Sequence, residues 1–178
     1  MSKSQKEYIE EIKKPAFWIS NAFMLIATVV GVYLAANEGF RQAMQFDTIQ
    51  GDKKNYYLRT SLYNELQTNI AIVEDFLLKV QGGALAQQTS LELNTFIWES
   101  MKFSSSTLET PSELLGPIQI FYQQIPDLHR KMGNELGISV ATQRMKEQAE
   151  KMKQSILPAL KQSSDEIRTR LNDLNVQI

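Results

Sequence analysis

The chain has 178 residues, and its 19 Lys and Arg against 20 Asp and Glu give a net charge of -1. This balance argues against a nucleic-acid partner, which usually meets a basic face. Cysteine is absent, which excludes disulfides, thiolate metal sites and a cysteine nucleophile. The length allows one modest domain besides a membrane anchor.

An apolar stretch near the N-terminus is the most informative part of the sequence. Residues 16–36 carry no charge, and a helix needs about 20 such residues to cross the hydrocarbon core of a bilayer. The stretch is longer than the apolar region of a cleaved signal peptide, and Leu34 stands where a cleavage site would need a small residue. We therefore predict an uncleaved signal anchor, a single-pass transmembrane helix over residues 16–36.

The basic residues around this stretch predict its orientation. Lys3, Lys6, Lys13 and Lys14 precede it, whereas Arg41 is the first basic residue after it. Lys and Arg are enriched on the cytoplasmic side of membrane helices. We expect residues 1–15 to form a cytoplasmic tail and the bulk of the chain to lie outside the cytoplasm.

One side of the predicted span is small and polar. Asn21, Thr28, Gly31 and Ala35 recur at helical spacing, together with Met24. Helices in lipid associate through close packing of small residues and through polar side chains, and an amide is costly in hydrocarbon. These four residues are therefore predicted to bind a partner helix. The alternative is that they face lipid, with Asn21 reaching headgroup water.

The stretch that follows the span is amphipathic. Residues 37–52 place Phe40, Met44 and Phe46 among polar residues, which is typical of a juxtamembrane helix or linker that extends the anchor or lies along the bilayer. We expect Gly51 and Asp52 to end it. Residues 53–178 then form a helical bundle domain.

The first bundle helix is predicted over residues 53–80, where apolar residues alternate three and four apart. Asn69 interrupts this apolar seam. A buried amide needs hydrogen-bond partners and often fixes the register of packed helices. Asn69 is therefore predicted to set the register of the bundle, with contact to a ligand as the alternative.

A shorter second helix is predicted after a loop at Gly82 and Gly83. Thr89 and Glu92 have the spacing of a capping box, so this helix should begin at Thr89 and run to about Phe103. We expect it to bury Leu93, either Phe96 or Ile97, and Met101.

The third helix has a stronger start signal. Thr110 is predicted as its N-cap, with Pro111 as the first helical residue and Glu113 completing the capping box. Pro117 and Pro126 each remove a backbone donor, so we expect them to kink this helix or split it.

The last helix is predicted to open near Ser139 and run towards Asn175, with a bend at Pro158. Its apolar seam is typical of coiled-coil packing, either on the helix from residue 53 or on another chain. The predicted fold is therefore all-α: one N-terminal transmembrane helix followed by an antiparallel bundle of about four helices.

Two motifs carry a resemblance to a known group of proteins. Residues 31–35 read G-V-x-L-A, and residues 62–69 read L-x-x-E-L-x-x-N, with a looser match at Trp98 and residues 122–125. This pattern resembles small single-pass bacterial membrane proteins without assigned function. The resemblance implies an all-α domain in the bacterial envelope, at the inner membrane for a chain of the predicted topology, and offers no catalytic residues.

No catalytic or metal-binding pattern emerges. His129 is the only histidine, and the paired acids at residues 74–75 and 165–166 diverge by about 100° on a helix. Di-iron bundles need carboxylates and histidines repeated on facing helices. Phosphate loops, Gly-x-Ser-x-Gly and zinc spacings are absent from the sequence. We predict a protein that is not an enzyme and has no cofactor or metal, and His129 is interpreted as an exposed residue at a helix end.

Two functions fit this pattern. The first is an accessory or structural subunit that docks to a larger membrane protein complex, or to copies of itself, through its span and its helical domain. The second is an extracytoplasmic sensory or ligand-binding module, which would act through a separate partner because few residues precede the span. We favour the subunit, because a sensory module of this kind would have no signalling output of its own.

Overall fold

The structure, a computed structural model, describes residues 14–86, 88–104, 107, 109–132 and 136–178. These residues form helices and connecting turns without a β-strand. The predicted all-α class is confirmed. In chain order the elements are α1 (Pro15–Gln81), α2 (Phe96–Met101), α3 (Ser112–Lys131), α4 (Ile138–Lys151), a π-helical turn (Met152–Ile156) and α5 (Leu157–Asp173).

Contacts within the chain divide it into two units, with the boundary after Thr48. The first contains the described residues 14–48, all helical after residue 14 and all exposed. Its most apolar window has a mean hydropathy of 1.9 and is not buried at all, so α1 is long and apolar enough to cross a membrane near the N-terminus. The predicted cytoplasmic tail, with Lys3, Lys6 and Lys13, lies almost entirely outside the described residues.

The expected helix end at Gly51 and Asp52 is wrong, because α1 continues through both residues. One glycine inside a helix costs only about 1 kcal/mol relative to alanine. The Asp52 carboxylate accepts hydrogen bonds from two nitrogens of Arg170, at 2.9 and 3.2 Å, which holds this turn against α5. Phe40 and Phe46 therefore lie on an uninterrupted helix, exposed to solvent.

In the second unit, the C-terminal helices run antiparallel to α1. Asp52 pairs with Arg170, Thr60 with Ser164 at 2.8 Å, and Glu74 with Lys153 at 2.7 Å. Residue numbers therefore rise along α1 as they fall along α4 and α5, which is the antiparallel packing expected for the last helix.

The segment between α1 and α3 runs back along α1. Asn94 contacts Asn69, Ile97 contacts Glu65, and Glu109 contacts Arg59. α3 then runs parallel to α1, since Tyr122 meets Glu65 and His129 meets Phe76. The second unit is thus an up-down-up-down bundle, and in the described residues of its second segment the α-helical part is the six-residue helix α2.

The core of the bundle is apolar and continuous. Burying each large side chain stabilises the fold by about 1.5–3 kcal/mol. From α1 it takes Leu62, Leu66, Ile70, Val73, Phe76 and Leu77. From the other helices it takes Met101, Leu114, Ile118, Phe121, Tyr122, Ile125, Leu128, Met145, Met152, Leu160, Ile167 and Leu171.

The second helix differs from its prediction. Thr89 is not an N-cap, and α2 begins at Phe96 and ends at Met101. Its first backbone N–H groups are bonded to α1: those of Ile97 and Trp98 donate hydrogen bonds to the Glu65 carboxylate. This helix is capped from another part of the chain, which no local motif could indicate.

The third helix is not split. Pro111 rather than Thr110 occupies the N-cap position, so the helix begins one residue later than predicted, and it continues through Pro117 and Pro126 to Lys131. A proline inside a helix costs about 3 kcal/mol. The unbroken buried face around Ile118 and Phe121 outweighs that cost.

The last helix runs from Ile138 to Asp173, close to the predicted bounds. A π-helical turn over Met152–Ile156 interrupts it. Pro158 lies two residues after this turn and lacks the backbone N–H that a regular α-helix would use, so the wider turn lies where the ladder of hydrogen bonds must change. The helix resumes at Leu157 with its core side chains still buried.

Candidate functional site

The predicted partner face of the span is open. Asn21, Thr28, Gly31 and Ala35 are exposed on one side of α1, as their spacing requires. The Asn21 side-chain N–H donates to the Phe17 carbonyl at 3.0 Å, and the Thr28 hydroxyl donates to the Met24 carbonyl at 2.8 Å. Backbone carbonyls of the same helix therefore accept hydrogen bonds from both polar side chains of this face.

Gly31 leaves room beside the helix. A Cβ atom added at this position would meet no atom within 4 Å. The absence of a side chain is therefore not required for packing within the chain. In a bilayer, such a position lets a second helix approach closely.

A cluster of buried polar side chains joins α1, α3 and the segment that contains α2. We call the three side chains Glu65, Asn69 and Tyr122 the clamp. Asn69 is fully buried. Its Nδ2 donates to the Asn94 carbonyl at 2.7 Å, and its Oδ1 accepts the Asn94 N–H at 2.8 Å. One side chain thus binds both backbone groups of one residue.

Glu65 holds the beginning of α2. Its carboxylate accepts the N–H of Ile97 at 2.6 Å and that of Trp98 at 3.0 Å, and it accepts the Tyr122 hydroxyl at 2.7 Å. Among the described residues, no cation pairs with Glu65. Its charge is stabilised instead by charge-assisted hydrogen bonds and by the positive end of the α2 dipole.

Tyr122 connects the other two members of the clamp. Its hydroxyl donates to Glu65 and accepts from Asn69 at 3.1 Å, and its ring stacks on Trp98 with centroids 5.2 Å apart. Burial, reinforced by the hydrogen bond to Glu65, raises the pKa of Tyr122 well above its ordinary value. The phenol therefore remains a neutral donor.

The sequence pattern indicated only part of this cluster. The partners of Asn69 are Asn94 and Tyr122, and no ligand is needed to satisfy the amide. Glu65 and Trp98 appeared only in the motifs of the family resemblance, and the role of Asn94 was missed. The available signal was an acidic residue between Leu62 and Leu66, inside an apolar seam.

A second polar layer lies nearer the start of the bundle. The Arg59 guanidinium donates to the Ser163 hydroxyl and to the Glu109 carbonyl, while the Asn55 amide donates to the Glu109 carboxylate. Burial, and then the nearby charge of Arg170, lowers the pKa of Arg59. The Arg59 Nε and the Asn55 Oδ1 are buried without a hydrogen-bond partner among the described residues.

His129 is not the exposed helix-end residue that the sequence suggested. It is half-buried, with its Nε2 3.1 Å from the Thr89 carbonyl oxygen and its ring edge-on to Phe76 at 5.2 Å. It thereby fixes the loop after α1 against α3. Within the described ranges, His, Asp and Glu do not gather into a group of three or more that could hold a metal ion.

Comparison with known protein families, with characterised proteins and with solved structures finds no match to this chain. The class of this protein is therefore defined by its own structure alone. Over the residues that the structure describes, it is an all-α protein in which the exposed N-terminal part of α1 is long and apolar enough to span a membrane and the rest of α1 belongs to a helical bundle whose second segment is held by buried polar side chains.

Proposed function

We propose that this protein is a non-enzymatic accessory subunit, anchored in a membrane, that docks to a larger membrane protein complex through its span and its helical domain. The observation that carries this proposal is the open face of Asn21, Thr28, Gly31 and Ala35 on an exposed apolar helix. A partner helix would bury small residues there and approach the backbone at Gly31.

The polar residues of the bundle support the same role. Glu65, Asn69 and Tyr122 hydrogen-bond one another and the chain's own backbone, so they are engaged in holding the fold. A helical domain with its own packed core, carried on an anchor, suits a part that covers or extends another protein. Copies of the same chain are the other partner that this face would fit.

We place the protein in a bacterial inner membrane, with its N-terminus in the cytoplasm and its bundle outside. The basic residues before the span support this orientation. The lipid bilayer is then a partner in its own right, while nucleic acid is not, given the balanced charge.

Cysteine crosslinking in the membrane tests the proposal. The sequence has no cysteine, so Gly31→Cys places a single thiol on the proposed face. Val29→Cys places one on nearly the opposite side of the same turn, since two residues differ by about 200°. Both positions are exposed on α1.

The proposal predicts that Gly31→Cys forms one adduct of defined mass with a neighbouring membrane protein or with a second copy, and that Val29→Cys does not. Equal adducts from both positions, or none from either, would contradict it. A protein purified without a neighbour that binds a metabolite would favour the sensory module instead.

A further inference from the structure

Two deeply buried side chains of the second polar layer lie one helical turn apart on α1. Asn55 is 4% exposed and Arg59 is 8% exposed. Both reach the turn before α3, where Asn55 donates to the Glu109 carboxylate and Arg59 donates to the Glu109 carbonyl. Arg59 also donates to the Ser163 hydroxyl on α5. The layer therefore ties α1 to two other parts of the bundle.

One donor and one acceptor of these side chains are left over. The Arg59 Nε–H and the Asn55 Oδ1 are both buried, and no group of the described residues forms a hydrogen bond with either atom. A buried polar group without a partner destabilises the folded state, and a charged one does so more strongly. Such groups are therefore nearly always bonded to protein or to ordered water.

The two atoms define the chemistry of the ligand that would satisfy them. It must accept a hydrogen bond from the Arg59 Nε–H and donate one to the Asn55 Oδ1. An anion without a proton has nothing to donate and would lie near the Glu109 carboxylate, which Asn55 contacts. A cation would be repelled by the Arg59 guanidinium. Water is neutral, carries both functions and is small enough to lie among side chains buried this deeply.

The spacing of the two residues also fits one water molecule. Side chains four residues apart on a helix lie on the same face, with Cβ atoms about 5–6 Å apart. Two hydrogen bonds of about 2.8–3.0 Å that meet at one oxygen atom span such a separation. Internal waters make about two to four hydrogen bonds to buried polar groups, and these two atoms supply the first two.

We infer that one internal water molecule binds between Asn55 and Arg59, donating to the Asn55 Oδ1 and accepting from the Arg59 Nε–H. It completes the polar layer that ties α1 to α5 and to the turn before α3. In the clamp, by contrast, Asn69 finds its partners within the chain. The site lies in the helical bundle and is independent of the proposed anchor interface.

Nuclear magnetic resonance of the isotope-labelled full-length chain in detergent micelles tests the inference, with ordinary water as the probe. Transfer of magnetisation from water to the Arg59 Nε–H proton is measured in the laboratory frame and in the rotating frame. A water molecule that stays bound while the protein tumbles gives transfer of opposite sign in the two frames. Mobile water, or chemical exchange of the proton itself, gives transfer of the same sign.

The inference predicts transfer of opposite sign at Arg59. The control within the same chain is Arg170, whose Nε donates to the Asp52 carboxylate at 3.2 Å and whose side chain is half-exposed. Its proton should show transfer of the same sign in both frames. Transfer of the same sign at Arg59 would overturn the inference.

The substitution Asn55→Leu tests the position of the water. It removes the acceptor while keeping a similar side-chain shape, so the transfer of opposite sign at Arg59 should be lost. The matched variant Asn64→Leu, at an exposed position of the same helix, should retain it. Transfer that persists in a helical Asn55→Leu variant would overturn the inference. If that variant does not fold, the comparison of Arg59 with Arg170 in the wild type decides.

Discussion

The substitution Asn69→Leu removes the most buried member of the clamp while keeping a similar side-chain shape. It eliminates the hydrogen bonds to the Asn94 carbonyl, the Asn94 N–H and the Tyr122 hydroxyl. A hydrogen bond contributes about 1 kcal/mol net. The loss of all of them should lower the free energy of unfolding by about 2–3 kcal/mol, since the leucine recovers part of the cost by apolar burial.

Chemical unfolding of the full-length chain in detergent, followed by circular dichroism, measures this change. The matched control is Asn64→Leu, the same substitution at an exposed position of the same helix, which should change the free energy by no more than about 0.5 kcal/mol. If Asn69→Leu lowers it no more than Asn64→Leu does, Asn69 does not hold the bundle together and the clamp has been misinterpreted.

Three further predictions concern other parts of the chain. The pKa of Tyr122 is raised in the folded state, so its contribution to the free energy of unfolding is fully present below the unfolded pKa of about 10 and is lost as the pH rises above that value. Above about pH 10 the free energy of unfolding of the wild type should therefore fall more steeply with pH than that of Tyr122→Phe. Equal slopes would contradict the assignment. Asp52→Asn breaks a pair whose Arg170 is half-exposed, so unfolding experiments at low salt should show a loss below about 1 kcal/mol that shrinks at high salt. A periplasmic reporter fused after residue 178 should be active, whereas activity of a cytoplasmic reporter would reverse the proposed topology.

The features that were predicted best from the sequence are those that depend on residues close together along the chain. The exposed apolar stretch of α1, the seam around Leu66 and the limits of the last helix all follow from local periodicity, and the structure has them. Asn69 could be singled out because an amide inside an apolar seam must find partners.

The features that sequence missed depend on residues far apart. Thr89 and Glu92 have the spacing of a capping box, yet α2 is capped by Glu65, which lies on α1. Gly51 looked like a helix end, yet α1 continues through it beside the contact of Asp52 with α5. In each case tertiary contacts outweigh a local preference of about 1 kcal/mol.

Residue spacing predicted a partner-binding face on the apolar helix, and Asn21 and Gly31 are exposed on one side of α1, as are the other described residues up to Thr48. What covers that face depends on molecules outside this chain. No arrangement of the chain's own residues could therefore reveal it.

Purification of the tagged full-length chain from native membranes in mild detergent tests the central proposal most directly. The proposal predicts that the wild type brings down one membrane protein at fixed stoichiometry, or a second copy of itself, and that Gly31→Leu loses it. A Cβ atom added at residue 31 would meet no atom of this chain within 4 Å, and leucine is a better helix former than glycine, so the variant should remain folded and helical. A wild-type chain that purifies alone as a monomer, or a Gly31→Leu variant that keeps the same neighbour, would contradict the proposal.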